Sequence, residues 1–183
     1  FRFDRPTRGL WEIVVYAEDS IVEGHYHIWL PLRQFMSGDV IFLRSSPDVT
    51  LTVPSTAEVP MTAGAYDVQT GSLFLDSSRG FTAVGDIKPD YVAPGVNVYG
   101  PDLRNRYTTR TGTSAAAAVA AGGSALLLEW AIKRQYARNV NSVNIKNYIL
   151  RGARREEGRT YPNKEWGYGV LDIYEALNKL RVL

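Results

Sequence analysis

The sequence contains no cysteine among its 183 residues. This absence excludes disulfide bonds, thiolate zinc sites and a cysteine nucleophile. Histidine is nearly absent too, since the chain has only His25 and His27. They lie two residues apart in a predicted strand and would point to one face, but no third ligand with suitable spacing accompanies them. We therefore expect polar side chains on a strand, with no metal site and no required cofactor.

The chain also lacks a strong excess of charge of either sign, with a formal net charge of +2. So small a value points to no class of partner by itself. A basic run near the carboxyl end has no interleaved aromatics and no nucleic-acid-binding motif, so we expect a solvated face and no nucleic-acid partner. Its members are Lys133, Arg134, Arg138, Lys146, Arg151, Arg154, Arg155, Arg159 and Lys164.

Long apolar runs and targeting signals are missing as well. We expect no stretch that is long and apolar enough to cross a membrane, and hence no membrane partner. The opening residues lack the charged-then-apolar layout of a signal peptide, so the localisation stays open. Because the chain does not begin with Met, we expect it to be a piece of a longer protein.

The sequence falls into two regions with different secondary-structure patterns. Residues 1–48 are typical of β structure, with strands predicted at 9–17, 25–31 and 40–43. Three such strands cannot bury both of their faces, so we expect partner strands upstream. From residue 49 onward the pattern is mixed α/β. It predicts extended segments within 61–67, 88–100 and 166–172, and helices over 114–137, 142–152 and 172–180, the last with Asp172 as N-cap.

The most informative stretch is RTGTSAAAAVAAGG, residues 110–123. Its alanines and glycines predict a helix that neighbours can approach on all sides. Ser114 at the helix start fits two interpretations. It could be an ordinary N-cap, or a nucleophile whose backbone N–H and hydroxyl lie at the positive end of the helix dipole. Helix physics alone leaves both interpretations open.

Five segments resemble, in order, the subtilisin-like serine proteases, or subtilases. PSTAEVPMTAGAYD (54–67) is similar to the segment leading into that family's "VGAVD" strand, and SSRG (77–80) to its loop of the same letters. KPDYVAPGVNV (88–98) resembles "KPDIVAPGVNV". GTSAAAAVAAG (112–122) resembles the nucleophile motif "GTSMAAPHVAG", and GYGVLD (167–172) the closing segment. The resemblance covers about residues 49–183.

A narrower resemblance is to the Csp proteases of clostridial spore germination. It rests on the Trp-rich β region before residue 54 and on segments that follow the serine, such as LLLEWAI and YPNKEWGYGVLDIY. In that group a jelly-roll domain is inserted within the catalytic domain. The resemblance implies the last strands of such a jelly roll in residues 1–48. It implies the C-terminal part of a subtilisin-like three-layer fold, with a parallel sheet and a long buried helix, in residues 49–183.

The resemblance implies a serine endopeptidase with Ser114 as nucleophile and its backbone N–H as an oxyanion donor. It also implies that Pro54, after a cis bond, shapes a substrate pocket, and we expect Asp90 to be structural. The remaining pocket candidates are Ser55, Thr56, Ala57 and Thr113.

The triad's Asp and His and the oxyanion Asn have no match in this chain, and His25 and His27 lack the family's Gly-Thr context. We therefore expect these groups in an upstream part of the same protein, and no activity from this chain alone. The target implied is a protein, such as a germination proenzyme, with a spore-associated location. The alternative is a pseudoprotease or binding member of the family without turnover. Structural calcium, frequent in the family, has no support in the sequence.

Overall fold

The computed structural model describes residues 7–18, 24–31, 35–36, 38–133 and 140–180. Within them the chain forms four strands and three helices, in an order that mixes the two types. The strands are β1 (Ala63–Tyr66), β2 (Tyr91–Pro94), β3 (Val98–Asp102) and β4 (Arg106–Arg110), and the helices are α1 (Thr113–Lys133), α2 (Ser142–Gly152) and α3 (Ile173–Leu180).

The central sheet is parallel. β1 pairs with β2 in a register that sets Ala63 opposite Tyr91 and Tyr66 opposite Pro94. Residues 169–171 continue the sheet beyond β2, because the Val92 N–H donates to the Gly169 carbonyl at 3.0 Å and the Leu171 N–H donates to the Val92 carbonyl at 2.8 Å. This confirms the parallel α/β architecture predicted for residues 49–183.

The two faces of this sheet bury different side chains, as the period of two in a strand requires. Tyr91 and Ala93 face a core made with the helices, whereas Val92 belongs to a second cluster with Trp166 and Val170. The helix-side core is built largely from small residues and lets α1 lie close to the sheet. Its fully buried members are Ala65, Tyr91, Ala93, Ala116, Ala120, Leu127, Ile145, Ile149 and Ala176.

The helix predictions agree closely with the structure. α2 has the predicted bounds, and α3 starts one residue after Asp172, whose carboxylate accepts the Glu175 N–H at 2.9 Å as an N-cap does. The prediction for α1 extended to residue 137, of which 134–137 lie outside the described residues. Strand β4, which pairs antiparallel with β3, was not predicted.

The α1 helix departs from two expectations. By length and composition it could cross a membrane, because it has 21 residues and an 18-residue window with a mean hydropathy of 1.6, so the expectation of no such stretch was wrong. The alanines that suit close packing also raise its hydropathy, together with Leu126, Leu127 and Leu128. The helix was also expected to be surrounded on all sides, yet within the described residues only one side is covered.

The strands predicted at 9–17, 25–31 and 40–43 are not formed in the described parts of these ranges. Their large apolar side chains are mostly exposed, including Leu10, Tyr16 and Ile41. A strand needs a neighbour to pair its N–H and C=O groups, and the three segments do not pair with one another here. The jelly-roll assignment for residues 1–48 stays a prediction.

The basic run is a solvated face only in part. Lys133, Arg159 and Lys164 lie on the surface and pair with Glu129, Glu156 and Asp48, while Arg134 and Arg138 lie outside the described residues. Lys146 is the exception, because its side chain is only 21% exposed and its ammonium group lies 2.8 Å from the buried Asp90 carboxylate.

Candidate active site

The carboxyl end of β2 fixes the start of α1. Gly95 follows β2 directly, and a Cβ atom added there would lie 2.5 Å from the Ala65 Cβ and 3.2 Å from the Ala116 Cβ. Only glycine permits so close an approach of strand and helix. The Gly112 N–H then donates to the Gly95 carbonyl at 2.7 Å, which ties the residue before α1 to the end of the sheet.

Gly112, rather than Ser114, is the N-cap of α1. The Gly112 carbonyl accepts the N–H groups of Ala115 at 3.1 Å and Ala116 at 3.3 Å, and the φ of 144° at Gly112 suits glycine. Ser114 is therefore the second residue of α1, inside the first turn. This position excludes the first of the two interpretations left open by the sequence, because Ser114 is not the N-cap.

The hydroxyl of Ser114 is exposed and makes no hydrogen bond within the described part of the chain. Its N–H is one of the first donors of a helix, which have no partner inside the helix. Both groups lie where the helix dipole is positive, which favours a developing negative charge. The geometry suits attack on a carbonyl, with the oxygen of that carbonyl accepting the Ser114 N–H.

A small cavity of about 110 Å³ lies beside this helix start. Two predicted pocket residues line it, Ser55 and Thr113, whereas Pro54, Thr56 and Ala57 do not. The Val53–Pro54 bond is cis, as the resemblance implied. The rest of the cavity wall was not predicted, because no local signal in the sequence indicates that these distant segments come together. Its residues are Leu51, Thr52, Thr62, Ala63, Gly64, Ser77, Ser78 and Pro89.

Ser114 lies on an uncovered apolar stripe of α1. Residues three or four apart lie on one face of a helix. The residues that share a face of α1 with Ser114 by this spacing are small and all exposed. The opposite face carries the buried Ala116, Ala120 and Leu127. We call the exposed set the open stripe, and it comprises Ser114, Ala117, Ala118, Ala121, Gly122 and Ala125.

Within the described part of the chain, no hydrogen bond joins Ser114 to His25 or His27. His27 stacks on Trp29, with ring centroids 5.1 Å apart, and the Trp29 indole donates to the Val49 carbonyl at 2.8 Å. Among the described residues no group of three or more His, Asp or Glu side chains is arranged to hold a metal ion. Among the described residues, Ser114 thus presents an exposed hydroxyl and a first-turn N–H, and no basic side chain makes a hydrogen bond to that hydroxyl.

Comparison with known proteins agrees with this geometry. The sequence profile of the Subtilase family matches residues 37–169. C5a peptidase of Streptococcus pyogenes is 38% identical over 154 residues, which cover 80% of this chain but 13% of that protein. The structure of the Clostridium perfringens CspB protease superposes with a TM-score of 0.72 at 35% identity, over 76% of this chain and 30% of that one. The prenylagaramide maturation protease PagA superposes with a TM-score of 0.61 at 27% identity, over 73% of this chain and 47% of PagA.

Proposed function

The chain belongs to the subtilase family, and on that premise we propose that it is the nucleophile-bearing part of a serine endopeptidase. The observation that carries the proposal is the position of Ser114 in the first turn of α1, exposed and beside a cavity. The chain spans under a third of the length of the C5a and CspB relatives, so the remaining groups would come from elsewhere in the protein.

The proposed reaction is acyl transfer. The Ser114 Oγ attacks the scissile carbonyl and its proton passes to a histidine base. The carbonyl oxygen becomes an oxyanion and accepts the Ser114 N–H and an asparagine side chain. The amine then leaves with the proton from the histidine, and water hydrolyses the acyl-enzyme by the same route, which restores Ser114.

An upstream segment of the same protein would supply the Asp, His and Asn. Two observations support this partner. The hydroxyl of Ser114 has no base within the described residues, and the open stripe leaves an apolar face uncovered on the same side of α1 as Ser114. A segment that packs on the open stripe would come close to Ser114. Alanine and glycine along the stripe would let its backbone approach closely.

We also propose a protein as substrate. CspB and C5a peptidase are named as protease and peptidase, and the likeness to CspB extends over three quarters of this chain. Together with the Csp-like segments after the serine, this favours cleavage of a proenzyme during spore germination. The alternative is a family member that binds such a protein without turnover.

The test compares the full-length protein, meaning this chain together with the segment that precedes it, with residues 1–183 alone. We expect the full-length protein to release fluorophore from an internally quenched peptide library, and residues 1–183 to show no turnover above buffer. Equal turnover by the 183 residues would show that they contain the base. A full-length protein that binds peptide without cleaving it would favour the pseudoprotease alternative.

A further inference from the structure

A buried charge cluster joins the residues just before β2, the helix α2 and the segment before β1. Lys88 and Asp90 are 2% and 1% exposed, and the Lys88 ammonium donates to the Asp90 Oδ2 at 2.8 Å. Lys146, from the middle of α2, lies 2.8 Å from the Asp90 Oδ1. Buried charges occur in proteins chiefly when they are paired and hydrogen-bonded, and each member here is paired.

All three side chains also hold the backbone of one segment, residues 58–62. Lys146 donates to the Glu58 carbonyl at 3.3 Å, and Lys88 donates to the Pro60 carbonyl at 2.6 Å. The Asp90 Oδ2 accepts the Thr62 N–H at 2.7 Å. The cluster therefore holds the backbone at every second residue of this segment, namely at positions 58, 60 and 62, just before β1.

The same segment continues into the cavity wall beside Ser114. The Thr62 hydroxyl donates to the Ser55 carbonyl at 2.7 Å, and the Ser55 N–H donates to the Thr52 carbonyl at 2.8 Å. Thr52, Ser55 and Thr62 all line the cavity, together with Thr113 of α1. A chain of direct contacts thus runs from α2 through the cluster to this wall.

We propose that Lys146 is a positioning residue for the substrate pocket. Its contacts with the Asp90 carboxylate and the Glu58 carbonyl hold the part of the pocket wall that residues 52–62 form. The proposal rests on the proposed function, because it assigns the cavity to substrate. Lys146 is the member that can be removed without breaking the cluster, which contains two ammonium groups and one carboxylate. After its removal, Asp90 keeps Lys88 as its buried partner.

The test uses the full-length protein with Lys146→Met and a matched control, Lys179→Met. Lys179 also donates to a backbone carbonyl, that of Arg151 at 2.6 Å, but this contact joins α3 to α2 away from the cavity. In Lys146→Met we expect KM for a peptide substrate to rise about tenfold with kcat changed less than about twofold, because misplacement of a pocket wall weakens substrate binding. In Lys179→Met both constants should stay near their unsubstituted values.

Amide hydrogen exchange gives a readout that does not need activity. We expect amides within 54–62 to exchange at least about tenfold faster in Lys146→Met, while amides of β1 and β2 keep their protection. The control should leave exchange in 54–62 unchanged.

Unchanged exchange in 54–62 would overturn the proposal, and so would faster exchange with an unchanged KM. An equal loss of protection across β1 and β2 would also overturn it, since that indicates general destabilisation. If the unsubstituted protein hydrolyses no peptide, the proposed function fails. The exchange measurement then still decides whether Lys146 holds this segment.

Discussion

Ser114→Ala is expected to lower kcat of the full-length protein by about 10⁶-fold, because removal of the proposed nucleophile leaves only the catalysis that binding and oxyanion donors provide. KM should change little, since the hydroxyl is small and makes no hydrogen bond within the described residues. Alanine keeps the helix intact, because it is the best helix former and Ser114 is not the cap. Progress curves with a quenched peptide would measure the effect.

The matched control is Ser142→Ala. Ser142 is also an exposed serine in the first turn of a helix, α2, whose cap is Asn141. It should leave kcat and KM unchanged. A loss of less than tenfold in Ser114→Ala would show that another group is the nucleophile.

Asp90→Asn is expected to lower the free energy of unfolding by about 3–5 kcal/mol, the range found when one partner of a buried ion pair is removed. The substitution leaves the ammonium groups of Lys88 and Lys146 facing each other without their carboxylate, and Lys88 is only 2% exposed. The amide also replaces a charge-assisted acceptor of the Thr62 N–H with a weaker one. Urea unfolding of the full-length protein would measure the loss.

Asp86→Asn provides the comparison for this prediction. Asp86 is exposed and precedes the cluster by two residues, and its backbone N–H donates to the Thr82 hydroxyl at 2.9 Å, a bond that the substitution keeps. Its effect should stay within about 0.5 kcal/mol, as for most surface substitutions. Equal small effects of both substitutions would mean that the buried cluster does not stabilise the fold.

The burial around Asp90 also affects its neighbour in β2. Burial, and to a lesser extent the adjacent Asp90 carboxylate, raise the pKa of Tyr91 to about 12. A folded-state pKa above the usual value of about 10 means that the native state holds this proton more tightly than the unfolded chain does. The resulting stability is complete below pH 10 and is lost as the pH rises from 10 through 12.

The helices could be predicted because their signals are local. The period of the apolar residues and the cap at Asp172 gave the starts of α2 and α3 to within a residue. The strands predicted at 9–17, 25–31 and 40–43 were wrong for the described residues, because a strand needs a partner and these segments do not pair with one another. β4 was missed for a related reason, since RYTTR carries little apolar alternation and is defined by its pairing with β3.

In the candidate site, too, the sequence predicts what local motifs encode, whereas contacts between distant segments are seen only in the structure. The ordered motifs located Ser114, but only the structure shows that Gly112 takes the capping position and leaves the serine hydroxyl free. The cavity wall and the cluster around Asp90 combine segments far apart in the chain. Lys146 was grouped with solvated cations because composition does not reveal that its ammonium group reaches a buried carboxylate.

Covalent labelling tests the central claim most directly, namely that Ser114 is a subtilase nucleophile completed by an upstream segment. A fluorophosphonate probe should label the full-length protein once, with the adduct mapped by mass spectrometry to the peptide that contains Ser114. Residues 1–183 alone should remain unlabelled, because no base contacts the hydroxyl among the residues that the structure describes. An adduct on a different serine, or equal labelling of the 183 residues alone, would contradict the claim.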